Sequence, residues 1–161
     1  MMRAVLLQTA GLAAAVIVAG PASAQDTVGV ASSHSTRGTW ELDAGASAHE
    51  RVIGETVVIG GDDTQIDYAA TVRFQGKTTG VRFKALVDGP EVPLVSLGGV
   101  TVGRARVRRV DGGRTITELM PDSGVQRIIE HRASIDGQTL LSLLYDKTGK
   151  VLSILVFRRT A

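Results

Sequence analysis

The sequence predicts an all-β domain, an antiparallel up-and-down meander closing into a barrel of about 8–10 strands. Three observations carry this. Ile66, Tyr68, Ala70, Val72 and Phe74 alternate with Asp67, Ala69, Thr71 and Arg73, the period-2 mark of a strand with one buried face. Turn signals recur along the chain with a spacing of roughly 8–12 residues, the rhythm of all-β sheets. No segment sustains a 3.6-residue apolar stripe long enough for a crossover helix, which argues against parallel βαβ units. A two-sheet β-sandwich fits the same pattern; closure is preferred because it leaves no sheet edge exposed.

The chain opens with a segment that is not part of this domain. Residues 1–24 begin with Met1-Met2-Arg3, continue through a largely apolar run to Ala19, break at Gly20-Pro21 and end on Ala22-Ser23-Ala24. That is the order of a secretory signal peptide, with cleavage expected after Ala24 and a periplasmic or secreted product. Gln8 and Thr9 interrupt the run, which is short for a span of about 20 residues, so no transmembrane segment is expected after cleavage. Residues 25–37 carry Ser32-Ser33-His34-Ser35-Thr36 and few large apolar groups, and read as a flexible lead-in. Residues 38–161 then form a single barrel domain.

That domain begins at Gly38-Thr39-Trp40, with the only tryptophan of the chain. A tryptophan opening a run of strands is a large apolar body with one N–H to satisfy, suited to plugging a barrel floor. Ala44 to Ala48 reads as a loop or a single helical turn. Thr56-Val57-Val58-Ile59 is a β-branched strand ended by Gly60-Gly61-Asp62-Asp63. The alternating strand from Ile66 follows, then a turn at Gln75-Gly76-Lys77. Next comes a second alternating strand with Val81, Phe83, Ala85 and Val87 inward. Asp88-Gly89-Pro90-Glu91-Val92-Pro93 is read as a long loop or strap, because proline donates no ladder bond. A short strand is expected at Leu94 to Leu97. Turns at Gly98-Gly99, Asp111-Gly112-Gly113, Asp122-Ser123-Gly124, Asp136-Gly137 and Lys147-Thr148-Gly149 separate strands at 100–110, 114–120, 125–135, 138–145 and 151–159.

Composition narrows the function. There is no cysteine, so disulfides, thiolate catalysis and zinc–thiolate sites are excluded. Loss of Arg3 with the signal lowers the net charge from +2 to +1, a poor match to a nucleic-acid binder. His34, His49 and His131 are the only histidines; their scatter argues against a metal site. No Gly-x-Ser-x-Gly elbow occurs, no cofactor motif is present, and the chain is expected not to be an enzyme.

Candidate binding residues come from strand phase. Tyr68, Ala70 and Val72 on one strand and Phe83 and Ala85 on the next alternate large and small, leaving room for a small apolar ligand or tapering around a filled core. Val125, Ile129, Ala133 and Ile135 continue that face, with Arg127 and His131 in phase. Either an inward Arg127 and His131 meet a ligand head group, with Tyr68 beside them, or Arg127 reaches solvent and His131 bonds a backbone carbonyl. An enzyme using His131 with Tyr68 or Glu130 is a third, weaker reading. Arg104, Arg106 and Arg108 line one outward face, a surface for an anionic contact or a solvated guard against edge pairing.

The Gly38-x-Trp40 opening, the meander and the ending Val156-Phe157-Arg158-Arg159 together resemble the calycins, that is, lipocalins and fatty-acid-binding proteins. More closely, Gly38 to Asp43, Arg109 to Thr115 and Ser134 to Leu140 are similar to a group of exported bacterial calycin-like proteins. The resemblance implies a barrel in which Trp40 closes one end beneath Arg158 or Arg159 from the last strand. It also implies an apolar or amphipathic ligand whose head group is held by Arg and Tyr. The chain departs from lipocalins in lacking cysteine, and from fatty-acid-binding proteins in having no room for the helical pair that follows their first strand. The expected function is therefore an exported, non-enzymatic barrel binding a small hydrophobic or amphipathic molecule. The alternative is an envelope interaction or structural module with a filled core, acting through its basic outer face.

Overall fold

A computed structural model describes residues 35–48, 52–111 and 113–160 of the chain. The expected signal segment and cleavage after Ala24, most of the expected lead-in, His34 and His49 lie outside the described residues. Ten strands follow in order: β1 (Gly38–Leu42), β2 (Val52–Gly61), β3 (Gln65–Phe74), β4 (Lys77–Leu86), β5 (Val92–Ser96), β6 (Thr101–Asp111), β7 (Arg114–Pro121), β8 (Arg127–Ala133), β9 (Thr139–Asp146) and β10 (Val151–Thr160). Each pairs antiparallel with its neighbours in sequence, and β1 pairs with β10, so the sheet closes into a barrel. This closure removes the sandwich alternative, and no helix occurs among the described residues.

The hairpin turns are built by the residues the sequence placed there. Asp62 Oδ1 accepts from the Thr64 and Gln65 N–H groups, Asp136 Oδ1 from the Gln138 N–H, and Asp146 Oδ1 from the Thr148 and Lys150 N–H groups. Each carboxylate replaces a missing ladder partner and holds the chain in reversal. Gly61, at φ +93, completes one such turn, where an added Cβ would lie 2.1 Å from the Gln65 carbonyl oxygen. Between β1 and β2 the described residues form a turn, whose Ala48 bridges Ile154 of β10.

Two expectations are corrected. The strand after the Pro90 loop begins at Val92 and includes Pro93, earlier than the proline rule suggested. The reason lies in pairing: β4 and β5 share only Val81↔Ser96 and Arg82↔Val95, so no β4 partner waits for a donor at Pro93. Val125 and Ile135, expected on the inner face, sit beyond the ends of β8 and are 47% and 82% exposed. Val125 lies in unpaired chain between the Asp122-Ser123-Gly124 turn and β8, and Ile135 lies in the turn that follows β8.

The core fills one end of the barrel. Trp40, Phe157, Leu140, Val57, Val107 and His131 are its largest fully buried side chains. Trp40 donates from Nε1 to the Thr36 carbonyl at 2.9 Å, and the Arg159 guanidinium carbon lies 4.2 Å from the indole centroid. Arg159 also donates to the Gly137 and Arg37 carbonyls, so one cation ties β10, the β8–β9 turn and the chain entering β1. Arg158 faces outward, onto Asp43 and Thr139. Of the two arginines the resemblance offered, Arg159 alone covers the tryptophan. Thr36 is itself buried, so packing against the barrel starts two residues before β1.

Candidate ligand-binding cavity

Above this floor the barrel is hollow. A cavity of about 320 Å³ is lined by apolar side chains of seven strands: Val52, Ala70, Val72, Val81, Leu119, Ile129, Leu144 and Leu155. Its polar lining is Glu55, Tyr68, Arg127, Ser142 and Ser153. The volume falls at the lower end of the range for small-molecule sites, and the mix of apolar wall with few polar groups is characteristic of them. Val81, Leu119 and Arg127 also line an open hollow of about 500 Å³ formed with Thr101, Val102 and the Pro121-Asp122-Ser123 segment. These three side chains therefore stand at the neck where the cavity meets the loops of the open end.

The residues expected to bind a ligand divide between wall and floor. Tyr68, Ala70, Val72, Arg127 and Ile129 line the cavity. Phe83, Ala85 and His131 do not, being packed into the floor. Tyr68 stacks on Phe83 with centroids 4.9 Å apart and meets the His131 ring at 5.8 Å, so an aromatic cluster separates hollow from solid core. Burial pushes the His131 pKa down to about 4 and raises that of Tyr68, to which the charge of Glu55 also contributes. Both rings are neutral at physiological pH. Arg127 donates from Nη1 to the Gln126 carbonyl at 3.2 Å and makes no ion pair among the described residues.

Glu130 cannot serve His131, because consecutive residues of a strand face opposite sides of the sheet. Glu130 is on the outer surface, buried beneath Arg114, Arg132 and Tyr145, which all donate to it. Desolvation pushes its pKa up, but the two arginines outweigh this and hold it below the usual carboxylate range. Glu118 is treated alike by Arg106 and Arg108, and Glu91 pairs with Arg104 at 3.1 Å. The row Arg104, Arg106 and Arg108 thus faces outward, with two glutamates neutralising much of its charge. Among the described residues no three His, Asp or Glu side chains converge as metal ligands, and no helix is long and apolar enough to cross a membrane.

Three polar lining residues went unread in the sequence: Glu55, Ser142 and Ser153. Strand phase marks all of them. Glu55 is in register with the buried Val57 and Ile59, Ser142 with Leu140 and Leu144, and Ser153 with Leu155 and Phe157. Burial moves Glu55 up to a pKa of about 7. An acid this far from its ordinary value inside a hollow is the least expected feature of the lining.

No family model matches the sequence, and no curated protein matches it. Among solved structures the barrel is similar to the fatty-acid-binding protein isolated from Manduca sexta. The TM-score is 0.52 at 14% identity, covering 80% of this chain and 100% of that one. At that identity the likeness is one of fold. With the closed ten-strand meander it makes the architecture calycin-like.

Proposed function

We propose that this chain is an exported, non-enzymatic calycin-like barrel that takes one small apolar or amphipathic molecule into its interior. The observation that carries the reading is the hollow itself: about 320 Å³ of apolar-walled space above a packed floor, where a filled core would leave none. The similarity in fold to a fatty-acid-binding protein is consistent with it. Apolar wall residues would desolvate the body of the ligand, while Tyr68, Ser142, Ser153, Glu55 and Arg127 offer the few oriented polar contacts that set its pose. Export rests on the order of charged start, apolar run and small-residue ending in residues 1–24.

The non-enzymatic reading rests on the fate of the candidate groups. His131 is sealed in the floor and neutral, and Glu130 is spent on two arginines outside the barrel. The test is solvent extraction of the purified protein with mass spectrometry, run beside displacement of a fluorescent apolar probe. A co-purified amphipath or saturable displacement at one site per chain is expected. Absence of both would refute the reading.

A further inference from the structure

We infer that Glu55 is the head-group reader of the cavity, and that the preferred ligand is a single-chain amphipath presenting an amine, rather than a carboxylate, to it. This rests on the interior being a ligand site. Glu55 reaches the cavity from β2, which changes register between Val52 and Gly54, so that Val52 and Glu55 both line the hollow despite an odd spacing. Among the described residues it makes no ion pair and accepts no side-chain hydrogen bond. The two other glutamates held under the barrel surface, Glu118 and Glu130, each take two arginines.

The groups around it decide the sign. From β3, Tyr68 is neutral and sits close enough to feel the charge of Glu55. From β8, His131 lies beneath Tyr68 and is neutral, and Arg127 stands at the neck, turned toward the Gln126 carbonyl. The remaining lining is uncharged. No Arg127–Glu55 ion pair forms, the Arg127 guanidinium being bonded to the Gln126 carbonyl, and desolvation is the cause of the Glu55 shift. A carboxylate placed in an apolar wall without a cation is costly, and a ligand ammonium removes that cost by a charge-assisted hydrogen bond. A ligand carboxylate in the same place would add a like charge in a poorly screened space.

The experiment displaces a neutral fluorescent apolar probe with decylamine, decanol and decanoate at pH 6 and pH 8.5, using the wild type and Glu55→Gln. At pH 8.5 decylamine should bind about 10-fold tighter than decanoate, with decanol between them, consistent with one charge-assisted contact. The preference should shrink at pH 6, where Glu55 is mostly protonated while the amine stays charged. In Glu55→Gln, shown to be folded by its melting curve, both the preference and its pH dependence should disappear. Decanoate binding as tightly as decylamine to the wild type, or an amine preference that survives Glu55→Gln, would overturn the role of Glu55 and leave the cavity reading standing. Failure of the probe and all three amphipaths to bind would overturn both.

Discussion

Trp40 belongs to the packed floor and Glu55 to the cavity wall, and each makes its own demand on stability. Trp40 is fully buried, bonded through its N–H to Thr36 and covered by Arg159. Trp40→Ala should cost about 3–5 kcal/mol by the cavity it leaves, read from urea melts; a change below about 1 kcal/mol would show that the floor does not depend on it. Glu55 acts in the opposite sense. Its folded pKa of about 7 lies above its ordinary 4.5, so between these values the unfolded chain releases a proton that the native protein keeps. Stability is lost as pH rises through that window, and the loss is complete above pH 7. Glu55→Gln should therefore be more stable than wild type by roughly 1–3 kcal/mol at pH 8 and equal to it at pH 4. Parallel thermal melts at the two pH values check this.

At the scale of strands and turns, most of the fold is legible because hairpin chemistry is local. The strands flanking Gln75-Gly76 are an example: each position of β3 from Gln65 to Phe74 pairs with β4 without a shift. What escaped the sequence is what depends on a partner. Pro93 sits in a strand because β4 withdraws from it, and Glu130, an outward residue by phase, is buried because Arg114 and Arg132 fold over it. The largest single influence on Glu130 is burial, which raises its pKa, yet hydrogen bonds and charge from the arginines together leave it lowered. Its stabilisation is thus present above the ordinary carboxylate pKa and lost as pH falls through the depressed one. Glu130→Gln should flatten the acid limb of the stability curve, seen by comparing melts at pH 3 and pH 6. Gly103 in β6 has φ +150, and a Cβ there would lie 2.4 Å from the Met120 carbonyl oxygen. Gly103→Ala should cost about 2–4 kcal/mol by forcing β6 and β7 apart; an unperturbed melt would contradict this.

For the whole molecule, the sequence specifies a closed meander more securely than it specifies what the meander encloses. Alternating Tyr68, Ala70 and Val72 indicate an inner face, yet the same alternation serves a hollow or a solid barrel. The choice is made by residues far apart in sequence: Trp40, Leu140 and Phe157 meet at one end, while Glu55, Ser142 and Ser153 are too small or too polar to close the other. The central claim is that this second end holds a ligand, and one measurement tests it most directly. Val72, half-buried in the cavity wall, can be enlarged to tryptophan to occupy the hollow without entering the floor. Isothermal titration of wild type and Val72→Trp with decylamine, with melting curves to confirm folding, should give one saturable site in the wild type. The filled variant should bind at least about 10-fold more weakly. No saturable binding to the wild type, or equal binding by a folded Val72→Trp, would contradict the account.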